Sequence, residues 1–355
     1  MTRPLVVRFG ALGDMVLMTV AIRRIYERFG LPVDVLGSGN WTAPLLHGQL
    51  GVGDIHVLHS RKRPYWVGPD QWQLIRHLRT RGVGPTWLFD AQIEKPCWLL
   101  RRAGWGEADL LALDKLPDIA GEHFCDRWQR FAELSPESAL TAPTTGAAAT
   151  VRTDGAVPAL SVSPALRTQV LAWLRSLGVE ASRCILIQPG NQRTMRWGDR
   201  RRASNTKYWP EERWAALLRG LRALHADHAL LLLGIGPEAR INDEILALAK
   251  VANAHNLARS MTVPRLMALA ELAFGMISVD TGPAHVGAAL GCPVLTLFDS
   301  PSKLTMYAPR GPAALVSCIV GGTDAEPSML GLTAEAVLAS WRGLCLQQAV
   351  RRKRA

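Results

Sequence analysis

Ser278 to Phe298 reads SVDTGPAHVGAALGCPVLTLF. An apolar run, Phe274 to Val279, ends in the polar turn Asp280-Thr281-Gly282-Pro283. Small residues from about Ala284 then suit a helix, and Pro293 opens a second apolar run. Strand, glycine turn, helix and strand in that order specify a βαβ unit on a parallel sheet. The turn gathers backbone N–H groups at the positive end of a helix dipole, which suits an anion such as a diphosphate. Asp280 and His285 flank it and bring side chains able to bind hydroxyl groups. Asp, Thr and Gly are also ordinary turn and cap residues in α/β proteins, so the stretch decides the fold more firmly than the ligand.

The same pattern recurs in both directions along the chain. Leu5 to Phe9 reads as a buried strand, Gly10 to Asp14 as a tight loop, and Met15 to Phe29 as a helix with apolar residues at helical spacing. Gly30 stops that helix and Val33 to Leu36 is the next strand, with further short strands at Val57–His59 and Trp87–Asp90. Thr141 to Ala156 is poor in bulky residues and reads as a linker. Ser163 caps a helix running to Leu177, with Pro164 in its first turn and Gly178 beyond its end. A second α/β series follows. Its strands are Cys184–Gln188 and Ala229–Leu233, and its helices are Glu211–His225, Ile241–Ala252 and Pro264–Leu272. Leu332 to Cys345 is a final helix. Two α/β series joined by a weak linker predict two doubly wound domains, residues 1–160 and 161–345, with a basic tail over 346–355.

The bulk composition narrows the function. The 355 residues include 48% hydrophobic side chains, enough for two cores. A net charge of +11 points to an acidic partner: nucleic acid, an anionic membrane surface or a phosphorylated substrate. No zinc-finger spacing or aromatic RNA-binding signature is present, so nucleic acid is not the expected partner. The six cysteines form no CxxC pair, which argues against a disulfide framework or zinc site and for a reducing compartment, the cytoplasm. No run of 18 apolar residues exists to span a membrane. Peripheral contact with an anionic leaflet stays open.

Several side chains can carry chemistry. Asp14 stands where the Gly-rich loop enters the first helix. It suits a helix cap, and it also suits a general base toward a hydroxyl group. The segment Gln188 to Trp214 carries Asn191, then Arg193, Arg196, Arg200, Arg201 and Arg202, then Lys207. Such a loop between strand and helix can hold phosphates, lie solvated, or bind RNA. Gly234-Ile-Gly236 lacks the third glycine of a dinucleotide fingerprint. Glu238 beyond it can accept hydrogen bonds from ribose or favour a helix start. No Asp-x-Asp pair is present to hold a metal-bound sugar nucleotide, and no cofactor is expected.

These pieces together resemble the ADP-heptose:lipopolysaccharide heptosyltransferase family, bacterial enzymes of glycosyltransferase family nine. The resemblance runs from about Leu5 to about Pro309. It rests on RFGALGDMVLMTVAIRRI, NTKYWPEERW, GIGPE, and the stretch from Ala258 through Phe298 with its Met261-to-Asp280 spacing. It implies a GT-B fold: two Rossmann-like domains facing a cleft, with the acceptor on the N-terminal domain and the nucleotide sugar on the C-terminal one. It implies an inverting, metal-independent transfer of a sugar, heptose from ADP-heptose, onto a lipopolysaccharide-core-type acceptor. By the same resemblance Asp14 is the catalytic base and Lys207 the cation on the donor diphosphate. Glu238 binds ribose, Met261 packs the adenine and Asp280 binds sugar hydroxyls. Thr281, Gly282 and Pro283 meet the phosphates, although Pro283 has no N–H to give, and His285 follows them. Asn191 and Arg193 complete the donor set. Gly13, Arg61, Arg63 and Lys95 are the candidate contacts for a phosphorylated glycolipid acceptor at the inner face of the cytoplasmic membrane. Two departures from the family pattern leave the sugar open, and with it a transferase using another nucleotide sugar. The loop from Gly190 to Lys207 is longer and more basic. Asp299-Ser-Pro-Ser-Lys303 stands where Gly-Pro-Thr-Asp-Pro is common.

Overall fold

The computed structural model describes residues 2–59, 68–140, 156–191, 204–312 and 315–354, the last few without their side chains. Arg61, Arg63, Arg193, Arg196, Arg200, Arg201, Arg202 and most of the expected linker lie outside the described residues. The chain forms two compact units, Met1–Pro158 and Ala159–Ala355.

The first unit runs β1 (Leu5–Arg8), α1 (Leu12–Phe29), β2 (Val33–Ser38), α2 (Thr42–Leu46), β3 (Val52–Leu58), α3 (Pro69–Arg81), β4 (Thr86–Leu88), α4 (Glu94–Ala103), β5 (Leu110–Ala112) and α5 (Phe124–Glu133). Its sheet has the order β3-β2-β1-β4-β5, and every pairing is parallel. α1 begins three residues earlier than expected because Asp14 caps it from inside the first turn, accepting from Ala11 N–H at 2.7 Å. Gly30 ends it in the left-handed region, at φ 65°, with its N–H on the Tyr26 carbonyl.

The second unit runs α6 (Pro164–Ser176), β6 (Cys184–Gln188), α7 (Glu211–Leu224), β7 (Ala229–Leu232), α8 (Ala239–Ala249), β8 (Ala254–Asn256), α9 (Val263–Leu272), β9 (Gly275–Val279), α10 (Gly282–Ala289), β10 (Val294–Phe298), α11 (Pro301–Tyr307), β11 (Val316–Val320) and α12 (Ala334–Arg354). Its six strands follow β11-β10-β9-β6-β7-β8, again all parallel. Ser163 caps α6 as expected, its hydroxyl accepting from Leu166 N–H at 3.3 Å. The expected frayed basic tail is helical through Arg354, because Ala, Leu, Gln, Arg and Lys are all good helix formers.

Strands β6, β7, β9 and β10 are buried along their whole length, as a parallel sheet covered on both faces requires. The second unit's core joins Ile185, Leu230, Ile277 and Leu295 to Trp209, Trp214 and Trp341. The first unit has its own core around Leu5, Val7, Leu88 and Leu100. No disulfide joins any of the six cysteines, and four of them are buried. Among the described residues no helix is long and apolar enough to cross a membrane.

Because each unit closes its own core, damage to one should stay there. Leu230→Ala removes a wholly buried side chain and should cost the second unit about 2–5 kcal/mol. Hydrogen exchange read by mass spectrometry should show lost protection in β6, β7 and β9, with β1 and β4 unchanged. An equal loss in both units would contradict separate cores.

Candidate active site

A parallel sheet delivers the carboxyl end of every strand to one edge. In each unit the strand order reverses once along that edge: at β1/β4 in the first, at β6/β9 in the second. Such reversals splay the flanking loops apart and leave a crevice where ligands bind. The candidate residues sort to these two places.

At the first reversal, Asp14 is the third residue of α1. One carboxylate oxygen holds the Ala11 N–H, so the capping role is real. The other oxygen takes the Arg8 guanidinium at 3.0 Å. Arg8 also reaches Asp90 at 3.3 Å and the Phe89 carbonyl at 2.8 Å, and its guanidinium lies 5.4 Å from the Trp128 ring. Asp90 in turn accepts from Phe9 N–H at 2.9 Å. The loops after β1 and β4 are therefore tied by one cation between two carboxylates. A Cβ on Gly10 would come within 2.5 Å of the Asp14 Cβ, so glycine is needed for this approach. Gly13 sits beside Asp14 in the first turn. Lys95 is exposed in the first turn of α4.

At the second reversal, Lys207 and Asp280 form an ion pair, although 73 residues separate them. The Lys207 ammonium also donates to the Asp280 backbone carbonyl at 3.2 Å. Asn191, buried after β6, accepts from Asn205 at 3.3 Å, and Asn205 accepts from Lys207 N–H at 3.2 Å. The lysine is thus held by its backbone as well as its charge. Downstream, Trp209 is buried and donates to the Leu332 carbonyl at 3.0 Å, which anchors the Asn-Thr-Lys turn to the core.

α10 starts at Gly282, two residues earlier than expected, since Thr281 is extended and Pro283 fits the first turn. The side chains of Ser163 and Thr262 cap α6 and α9, but Thr281 makes no such bond at α10. Pro283 has no N–H and Ala284 N–H donates to the Thr281 carbonyl at 3.0 Å, so the Gly282 N–H and the positive end of the helix dipole are what this start offers an anion. His285 is buried in the second turn's approach, inside α10.

Glu238 follows β7, the strand beside β6. It is 4% exposed and accepts from Ile235 N–H at 2.8 Å. A Cβ on Gly190 would lie 2.6 Å from its other oxygen, so a side chain there would displace the carboxyl from this position. Burial pushes the Glu238 carboxyl above the ordinary range, outweighing the hydrogen bonds from Ile235 N–H and Gln188. Met261 is half-buried just ahead of α9, two loops along the same edge.

Sequence reasoning gave no site role to Arg8, Asp90 and Thr206, and took Asp299 and Lys303 only as part of a departure. Asp299 is wholly buried at the end of β10 and accepts from Thr206 and Lys303, both at 2.5 Å. Burial alone would raise its pKa. The hydrogen bonds from Lys303 and Thr206, with the charges of Lys303 and Lys207, outweigh burial and hold the carboxyl below the usual range. A signal for these acids was present: WLFD, ISVD and TLFD each end an apolar strand in Asp, at Asp90, Asp280 and Asp299. Among the described residues no group of three or more His, Cys, Asp or Glu side chains is arranged to hold a metal ion.

The raised Glu238 carboxyl has a stability consequence. Its cost to the folded state is absent below the unfolded pKa of Glu, grows as pH rises through the raised folded value, and is complete above it. Glu238→Gln should therefore gain stability relative to the wild type as pH rises from about 4 to about 8. Urea midpoints measured across that range should diverge in the variant's favour. A constant difference would contradict the burial argument.

Residues 198–321 match the family model of glycosyltransferase family 9 (heptosyltransferase), a span that holds Lys207, Glu238, Met261, Asp280 and Asp299. No curated protein sequence matches the chain. Among solved structures, the E. coli ADP-heptose lps heptosyltransferase II has a TM-score of 0.71 at 20% identity, covering 98% of this chain and 99% of its own. A glycosyl transferase family 9 protein from Veillonella parvula has a TM-score of 0.75 at 16% identity, with 98% and 97% covered. The E. coli heptosyltransferase WaaC, solved with ADP, has a TM-score of 0.69 at 18% identity, with 96% and 99% covered. At such identities the likeness is one of fold. The second unit's ligand edge is thus similar to the family 9 glycosyltransferases, and the architecture shared over nearly the whole chain is the GT-B fold.

Proposed function

We propose that the chain transfers a sugar, heptose from ADP-heptose, onto a saccharide of the lipopolysaccharide core with inversion at the anomeric carbon. The observation that carries this reading is the Lys207–Asp280 pair beside the uncapped start of α10. A cation, a hydroxyl-binding carboxylate and the positive end of a helix at one reversal point suit a sugar diphosphate. The names of the E. coli structural neighbours favour ADP-heptose over other nucleotide sugars.

In this scheme Asp14 takes the proton from an acceptor hydroxyl. The oxygen attacks the anomeric carbon as the bond to the diphosphate breaks, and the electron pair leaves with ADP. Negative charge grows on the leaving phosphate, and Lys207 with the α10 N-terminus stabilises it. Lys207 exchanges its hold on Asp280 for the diphosphate, and Asp280 becomes available to the sugar hydroxyls. Glu238 and Met261 serve ribose and adenine, and the scheme uses no metal. A phosphorylated glycolipid acceptor and the chain's positive charge suit work at the inner face of the cytoplasmic membrane.

Asp14→Asn keeps the shape and one acceptor for Ala11 N–H but removes the base. Transfer should fall by about 10²- to 10⁴-fold while ADP affinity stays within about twofold. Turnover near the wild-type rate would overturn the assignment of the base. A thermal-shift panel of ADP-, UDP-, GDP- and CMP-sugars should show a selective rise with ADP-heptose. A larger rise with another nucleotide sugar would redirect the donor.

A further inference from the structure

The geometry points to Asp299 as a positioning residue for Lys207, acting through the Thr206 hydroxyl. This rests on the reading of Lys207 as the diphosphate cation and adds a device that sets where that cation stands.

Thr206 immediately precedes Lys207 and is gripped at two atoms. Its hydroxyl donates to Asp299 Oδ2 at 2.5 Å, across 93 residues of sequence. Its carbonyl accepts from Met329 N–H at 3.1 Å. The Asp299 backbone carbonyl accepts from Ser328 N–H at 2.9 Å, which closes the ring. Residues 206, 299 and 328–329 thus form one hydrogen-bonded circuit at the end of β10. That strand also takes the Asp280 N–H on its Leu297 carbonyl at 3.0 Å. Both partners of the Lys207–Asp280 pair are consequently referenced to β10.

A wholly buried carboxylate is costly unless it is paired. Lys303 supplies the charge at 2.5 Å, on the same oxygen that Thr206 uses. The other oxygen, Oδ1, is buried and has no hydrogen-bond partner among the described residues. Stability alone would be served as well by an apolar residue at that site. A charged acceptor does something else: it makes a short, directional bond to Thr206 and fixes that residue's backbone. An ammonium on a flexible four-carbon stem needs such a fixed root to meet a diphosphate at a set distance.

The test is a double-mutant cycle on Thr206→Val and Lys207→Ala, read by calorimetric titration with ADP. Thr206→Val removes only the hydroxyl and leaves the Lys303–Asp299 charge pair intact. It should weaken ADP binding about tenfold with its thermal midpoint near the wild-type value, and Thr206→Ser should restore binding. Lys207→Ala should also weaken binding, and the double variant should bind no worse than Lys207→Ala alone. Additive losses, or wild-type affinity in Thr206→Val while Lys207→Ala is weakened, would overturn the role of Asp299 and leave that of Lys207 standing. Wild-type affinity in Lys207→Ala would overturn the reading of Lys207, and the present proposal with it. Should Thr206→Val fold poorly, Asp299→Asn serves the same cycle, with the same coupling expected and additivity again contradicting it.

Discussion

Lys207 and Asp280 meet where the second sheet reverses its strand order, and the polar side chains at the ends of β6, β9 and β10 are arranged around their contact. The pair lies in a half-buried setting, so each charge depends on the other for much of its compensation. Asn191 and Asn205 hold the lysine from its backbone side. Asp299 and Lys303 repeat the arrangement one strand further along. The edge therefore presents two lysines and two aspartates in balanced pairs. In the proposed reading, a polyanionic ligand would change that balance by taking one lysine over and freeing a carboxylate. This gives a physical reason for a donor site to carry acids at all.

The first unit applies the same logic with different residues. Arg8 lies between Asp14 and Asp90, and the carboxylates are referenced to the ends of β1 and β4. Asp14 is both a helix cap and a candidate base, so the two readings of that position do not compete. Its bond to Ala11 N–H holds one oxygen and the Arg8 contact holds the other, so the carboxylate has a set orientation.

Legibility in the sequence followed the length and periodicity of each element. The turn after β9, the cap at Ser163 and the stop at Gly30 were readable because each is a local signal within a few residues. Strands β5 and β8, each three residues long, were missed, whereas β4, equally short, was read from the apolar run Trp87–Phe89 that ends in Asp90. β11 was missed because its half-buried run, VSCIV, lies at the sheet's edge. The pairing of Lys207 with Asp280 and of Thr206 with Asp299 spans 73 and 93 residues, and depends on the strand order, which no local pattern encodes. The aspartates themselves were visible at three strand ends. What was not visible was which of them the sheet would bring beside a lysine.

The central claim is that Lys207 at the β6/β9 reversal receives the diphosphate of the donor. Phosphorus NMR of ADP titrated into the wild type and into Lys207→Gln tests it most directly. The account predicts that the β-phosphate resonance moves on binding to the wild type, and that the variant loses both this shift and most of the affinity. The same β-phosphate shift at the same affinity in both proteins would contradict it.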